Sequence, residues 1–284
     1  MDKRTCVITG ATSGIGMATA KSLARRGMRI IMLARNPEKA EQTKASLVSS
    51  SHNENIDIVL GDLSSLKQVR QAAGAINEKV SHIDVLINNA GLIMGNRRVV
   101  TDEGFEMTFV VNHLSAFLLT ALLYEKLMEA KQPRVLTVSS EAHRFGKLNF
   151  KDLQMEKGYS GLKAYGVSKL CNILFTRELA KRTEGTSLTA NCIHPGAVAS
   201  NFGDQVGGFF GSVINLARPF MINNEQGAAT SIYLATSAEG GQVSGEYFSK
   251  SKIKKTNDAA RSDYNARRLW EISAELTGEK FLSE

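Results

Sequence analysis

The strongest constraint on the fold is rhythm. Short runs rich in Val, Ile and Thr alternate along the chain with longer segments of helical periodicity. The runs predict strands over 5–9, 29–34, 56–60, 83–87, 135–139, 188–193 and 243–248. Apolar residues spaced three and four apart predict helices over 14–26, 64–80, 105–130, 164–182 and 225–236, and Asn36-Pro37 opens a further one. Each return crossover must lie over a face of the sheet, so strand–helix alternation specifies a parallel sheet covered on both sides. Right-handed crossovers then gather the C-terminal strand ends on one edge, where ligands bind. The expected fold class is α/β, a doubly wound parallel sheet of about seven strands with helices on both faces. No repeat, low-complexity tract or Ser/Pro-rich linker divides the sequence, so 1–284 reads as one domain.

Composition narrows the partners. With 43% apolar and 22% charged residues, disordered and fibrous classes are excluded. Cys6, Cys171 and Cys192 are odd in number and widely separated, which argues against a disulfide framework and for a reducing compartment. The net charge of +7 is uneven: residues 1–50 carry nine basic and three acidic side chains. Such a segment suits nucleic acid, a membrane surface or a phosphorylated small molecule, but no aromatic-interleaved basic stripe accompanies it, and nucleic acid is not expected. The apolar stretch from Leu114 to Tyr124 is too short to span a bilayer. Met1-Asp2-Lys3-Arg4 runs straight into a strand, so neither leader nor anchor is expected. The resulting expectation is a cytoplasmic protein with no integral membrane segment, a peripheral membrane contact being left open.

The first strand–helix turn reads Thr9-Gly10-Ala11-Thr12-Ser13-Gly14-Ile15-Gly16. Glycines there permit a tight turn and let backbone amides approach a pyrophosphate at a helix N-terminus, as in a Rossmann-type nucleotide site. The second strand ends Leu33-Ala34-Arg35-Asn36, without the carboxylate that binds ribose hydroxyls in NAD sites. Arg35 offers a planar guanidinium to a 2′-phosphate instead, and Lys39 adds charge one turn later, so NADP(H) is the expected cofactor.

Two Tyr-x-x-x-Lys pairs occur, Tyr159–Lys163 and Tyr165–Lys169. The first is interrupted by Gly161 and reads as loop, whereas the second opens a strong helical pattern, where i and i+4 share a face. A phenol with a pKa near 10 exchanges its proton poorly at neutral pH, and a nearby ammonium favours the phenolate. We therefore expect Lys169 to lower the Tyr165 pKa. Ser140, just past the fifth strand, reaches the same sheet edge, and Asn112 lies within the long preceding helix, where it kinks the helix or holds a water.

These residues, in this order, resemble the short-chain dehydrogenase/reductase family over nearly the whole chain. The carrying stretches are 9–16, Asp62-Leu63, Asn88-Asn89-Ala90-Gly91, Asn112, Ser139-Ser140, Tyr165 to Lys169 and Pro195-Gly196. Within the family the chain is most similar to the retinol dehydrogenase group, through 111–114, 168–172, 175–180 and 266–271. It is similar, more weakly, to light-dependent protochlorophyllide reductases. The resemblance implies that Tyr165 is the general acid for carbonyl reduction and the base for alcohol oxidation. It implies that Lys169 binds the nicotinamide ribose, that Ser140 orients the substrate oxygen with Ser139 the weaker candidate, and that Asn112 supports a proton relay. It further implies cofactor contacts from Gly10, Thr12, Ser13, Gly14, Ile15 and Gly16, from Asp62 and Leu63 at the adenine, from Asn89, Ala90 and Gly91, and from Pro195, Gly196 and Val198 at the carboxamide. Ser115-Ala116 departs from the Gly-His that follows Asn-His-Leu in close relatives.

The expected activity is hydride transfer between NADP(H) and a hydrophobic carbonyl or alcohol, retinal-like or a long-chain aldehyde or ketone. An apolar lid near 199–223, with Phe202, Phe209, Phe210 and Phe220, is expected to line the substrate site. The alternatives are an NADP(H)-binding sensor or scaffold without turnover and a light-dependent tetrapyrrole reductase. His113, His143 and His194 have no ligand-spaced partners, and no metal site is expected. Asp84 reads as a strand-end contact, Trp270 as packing, and the lysines at 250, 252, 254 and 255 as a solvated face. Resemblance also suggests a homo-oligomer.

Overall fold

The computed structural model describes residues 4–196 and 222–282. Eight strands form one sheet in the order β3-β2-β1-β4-β5-β6-β7-β8: β1 Thr5–Thr9, β2 Arg29–Ala34, β3 Ile56–Leu60, β4 Val85–Asn88, β5 Arg134–Val138, β6 Thr189–His194, β7 Tyr247–Ser249 and β8 Lys252–Ile253. Every pairing from β3 to β7 is parallel, and only β8 runs antiparallel, to β7. The order reverses at β1, which pairs with β2 on one side and β4 on the other, creating the crevice typical of this Rossmann-type topology. The eighth strand adds to the seven expected. At two residues within a lysine-rich run, it carries no strand pattern of its own.

Two apolar layers hold the sheet. Along β1 the side chains alternate: Cys6 and Ile8 join Leu23, Leu47 and Phe248, whereas Val7 joins Ile76, Phe117 and Phe175 on the other face. Burial on both faces explains why the strands read as continuous apolar runs. Helices α1 Gly14–Arg25 and α2 Pro37–Ser51, with Asn224–Thr236, flank the first face. Helix α3 Leu66–Lys79 and the C-terminal helix Asp263–Thr277 flank the second. Trp270 belongs to that core: it is 4% exposed and stacks on Phe175 with centroids 5.9 Å apart. Among the described residues no helix is long and apolar enough to cross a membrane.

The long helix expected over 105–130 is broken. It runs as α4 Met107–Phe109, a π-helical turn Val110–Leu114, α5 Ser115–Leu122 and α6 Tyr124–Met128. An extra residue in a turn re-aims one side chain, and here Asn112 lies inside it. Helix α7 spans Gly161–Arg182 and starts three residues earlier than its amphipathic pattern. Gly161 is its first residue, not a loop glycine: a Cβ there would lie 2.0 Å from the Met94 carbonyl oxygen. Close packing, not turning, requires that glycine.

Candidate active site

The crevice is built from the turn after β1. Gly10 and Gly14 adopt φ of 68° and 55°, the left-handed region that glycine enters without strain. Gly16 packs so tightly that a Cβ would meet the Gly10 oxygen at 2.3 Å and Asn89 Nδ2 at 2.4 Å. Asn89 secures the turn, donating from Nδ2 to the Thr9 carbonyl at 2.8 Å. Thr9 Oγ1 in return accepts the Asn89 and Ala90 amides at 3.0 and 2.9 Å. Ser13 makes no side-chain bond back into α1, so the first amides of that helix remain available to an anion. Thr12, Gly14 and Ile15 are partly exposed and Ser13 exposed around this N-terminus. Thr9, Leu63, Ala90 and Ser115 line a narrow cleft of ≈ 10 Å³ beside it. A larger cavity of ≈ 730 Å³, lined by Thr189, Ser187 and Lys181 among others, opens at the opposite sheet edge, away from these residues.

Arg35 follows β2 directly and Asp62 lies just past β3, so the sheet register brings them together. The Arg35 guanidinium is 3.6 Å from the Asp62 carboxylate and its side chain is 74% exposed. Asp62 is itself oriented by the Ser64 amide and hydroxyl at 2.9 and 2.8 Å. Lys39 is exposed on the first turn of α2, where its amide is capped by Asn36. Arg35 therefore stands paired with Asp62 and largely exposed just past β2.

The chemistry-bearing side chains come from β5, α7 and the π-turn. Asn112 holds the backbone of Leu92 at both ends, accepting its amide at 2.8 Å and donating to its carbonyl at 2.9 Å, and donates to Ser168 Oγ at 2.9 Å. Ser139 and Ser140 point differently, as consecutive residues of extended chain must. Ser139 is buried and donates to the Lys169 carbonyl at 2.7 Å, whereas the Ser140 hydroxyl bonds with Tyr165. Lys169, 2% exposed, donates from Nζ to the Val138 carbonyl at 3.0 Å and lies 5.6 Å from the centroid of the Tyr165 ring. A Cβ on Gly91 would stand 3.1 Å from Lys169 Nζ and 3.3 Å from Asn112 Oδ1, so glycine keeps open the space onto which both groups converge.

The electrostatics correct one expectation. Tyr165 is not lowered: burial pushes its phenol up to about 12, and the Ser140 hydrogen bond only partly opposes this. Burial also brings Lys169 down to about 8, against the Cys192 thiol. Desolvation therefore outweighs the i, i+4 proximity. At neutral pH the phenol holds its proton and can give it to a basic oxygen.

The decisive comparison is with protein families: the short chain dehydrogenase model matches residues 4–207. The chain belongs to the short-chain dehydrogenase family. This short-chain dehydrogenase is 43% identical to mouse retinol dehydrogenase 12 over 272 residues, 96% of this chain and 85% of that one. It is 41% identical to human retinol dehydrogenase 11 over the same shares. An uncharacterised Mycobacterium paratuberculosis protein of known structure is 34% identical with a TM-score of 0.78, covering 98% of this chain and 94% of that one. From its family and these relatives, this chain is a hydride-transfer oxidoreductase acting on CH–OH groups, with a small-molecule substrate.

The other sequence candidates sort by geometry. Tyr159 donates to Glu106 Oε1 at 3.0 Å, an anchor for the 146–160 segment. Asp84 accepts the Thr5 amide at 2.7 Å, a strand-end contact. His113 is fully buried against Ser273 Oγ at 2.9 Å. All three cysteines are free and buried. Pro195 and Gly196 follow β6 at the same edge, and Gly196 has φ 99°. Val198 and the expected lid, apart from Ile222 and Asn223, lie outside the described residues. Sequence reading missed Thr9 as the clasp of the 88–90 turn and Asn172, which shares the Val138 carbonyl with Lys169 at 3.1 Å. Asn172 sits three residues after Lys169 on one helix face, the signal that could have found it.

Proposed function

We propose that this short-chain dehydrogenase works as one unit that uses NADP(H) to interconvert a hydrophobic carbonyl compound and its alcohol, retinal-like or a long-chain aldehyde or ketone. The observation that carries the reading is the Ser140–Tyr165 hydrogen bond at the sheet edge beside buried Lys169. A bound nicotinamide supplies or accepts the hydride. Tyr165 gives its proton to the carbonyl oxygen, Ser140 donates a hydrogen bond that orients that oxygen, and the Lys169 charge favours the phenolate left behind. Asn112, fixed to Leu92 and Ser168, holds the wall through which a proton returns. Because the phenol retains its proton at neutral pH, Tyr165 starts a reduction in the state that can donate. The glycine turn and the N-terminus of α1 take the pyrophosphate, Leu63 and Asp62 the adenine side, and Gly91, Lys169, Pro195, Gly196 and Val198 the nicotinamide end.

Arg35 and Lys39 supply charge for a 2′-phosphate where NAD enzymes place an acid. The apolar sequence of 199–223 and the retinol dehydrogenase relatives support a hydrophobic substrate. An NADPH-oxidation screen over aldehydes graded by chain length, retinal included, tests the reading in darkness. Activity should rise with chain length and require no light, and Arg35→Ala should weaken NADPH far more than NADH. Equal efficiency with both cofactors in the wild type would refute the phosphate assignment. Binding of NADPH without turnover of any carbonyl would favour a sensor.

A further inference from the structure

Ser140 is held from its backbone as well as at its hydroxyl. It begins the short 3₁₀ turn Glu141–Phe145, and its carbonyl accepts the His143 amide at 3.0 Å and His143 Nδ1 at 2.7 Å. A carbonyl only accepts, so Nδ1 carries the hydrogen and the neutral ring presents a bare Nε2. That Nε2 is buried and has no hydrogen-bond partner among the described residues. The imidazole is 0% exposed and lies edge-on to Tyr247, with centroids 5.2 Å apart. Tyr247 donates to Glu141 Oε1 at 3.0 Å, and Glu141 also receives Arg144 Nε at 2.7 Å and Lys254 Nζ at 3.2 Å. The Lys254 amide bonds the Tyr247 carbonyl at 2.8 Å, and Arg144 reaches the Lys255 carbonyl at 3.2 Å. The lysines of the basic run are exposed, as expected of a solvated face, and Lys254 among them also ties the β7–β8 hairpin to the turn that carries Ser140.

We infer that His143 is a positioning residue for Ser140, kept aligned from the edge hairpin by Tyr247, Glu141 and Lys254. The inference rests on the reading of Ser140 as the group that orients the substrate oxygen. A hydroxyl on the residue that opens this turn, two positions past β5, swings with its peptide, and an error of a fraction of an ångström weakens a hydrogen bond that must strengthen in the transition state. Among the described residues, none of the four side chains hydrogen-bonds or ion-pairs with the glycine turn. Their loss falls on turnover, not on nucleotide affinity.

Steady-state kinetics with NADPH and decanal test this in His143→Leu, His143→Asn, Ser140→Ala and the His143→Leu/Ser140→Ala double variant. His143→Leu should lower kcat about tenfold or more while leaving the KM for NADPH within about twofold. His143→Asn offers an amide N–H in place of Nδ1 and should recover most of that loss. On the Ser140→Ala background His143→Leu should cost less than about twofold more, because the group it positions is gone. Equal losses on both backgrounds, asparagine no better than leucine, or wild-type kcat in His143→Leu would each overturn the inference. Should the leucine variant not fold, Tyr247→Phe keeps the ring and removes the hydroxyl. It should lower kcat about threefold on the Ser140 background alone, and an unchanged kcat overturns the inference. If Ser140→Ala itself keeps wild-type kcat, the reading of Ser140 falls and the inference with it. An inactive Ser140→Ala beside an intact His143→Leu overturns the inference alone.

Discussion

At Tyr165 burial and hydrogen bonding oppose each other, and burial wins, leaving a phenol near 12 beside an ammonium near 8. Removing the hydroxyl should therefore abolish proton donation and little else. Tyr165→Phe is expected to bind NADPH with near wild-type affinity by fluorescence titration, yet to lose roughly 10²–10⁴ in kcat. Lys169 pays for its role in stability. A fully buried ammonium lowered from 10.5 to about 8 costs about 3 kcal/mol while charged. Lys169→Met should accordingly raise the melting temperature at pH 7 while destroying activity, and a lower melting temperature would contradict this. The sign also fixes the pH dependence: between about 8 and 10.5 the unfolded chain holds the proton and the folded one does not, so this group makes stability rise with pH there. Sequence placed Tyr165 and Lys169 on one helical face, because i, i+4 spacing is local. It could not give the pKa order, because desolvation depends on everything packed around the pair.

The π-turn Val110–Leu114 is the element that most departs from its sequence pattern. Nothing in 105–130 breaks the helical periodicity, yet Asn112 spends its carboxamide on Leu92, a residue 20 positions earlier. The pairing between the two strips, not the propensity of either, selects the turn. Asn112→Leu should leave the half-buried amide and carbonyl of Leu92 unpaired and cost roughly 1–3 kcal/mol in urea denaturation. The same variant should slow turnover, because Gly91 and Lys169 border the loosened segment. Strand and helix order was legible because each element repeats its pattern over several residues. The early start of α7 at Gly161 and the two-residue β8 were not, since one is set by the Met94 carbonyl and the other by pairing with β7.

Across the whole molecule, buried neutral histidines couple the fold to acid. Burial lowers His113 to about 3 and His194 to about 4, and lowers His143 as well. Below pH 6.5 the unfolded chain takes up protons that the native one refuses, so stability present above 6.5 is lost as pH falls toward the folded values. Each such group costs about 1.4 kcal/mol per pH unit within its window. The urea midpoint should drop markedly between pH 6.5 and 5, and a midpoint constant over that range would contradict the assignment. Glu141, held down to about 2 chiefly by Arg144, Lys254 and Tyr247 against its own burial, adds a second loss only below its usual range.

From the sequence alone came the alternating parallel architecture, the glycine turn and the Tyr165–Lys169 pair, because periodicity, turn chemistry and helical spacing are all local; the roles of Asn112 and Ser140 came from the family resemblance. Tertiary structure decided how Arg35 meets Asp62, the pKa order of Tyr165 and Lys169, and that a distant hairpin reaches the Ser140 turn. Those outcomes depend on contacts between residues far apart in the chain, and on the low-dielectric surroundings that only the assembled sheet and helices create.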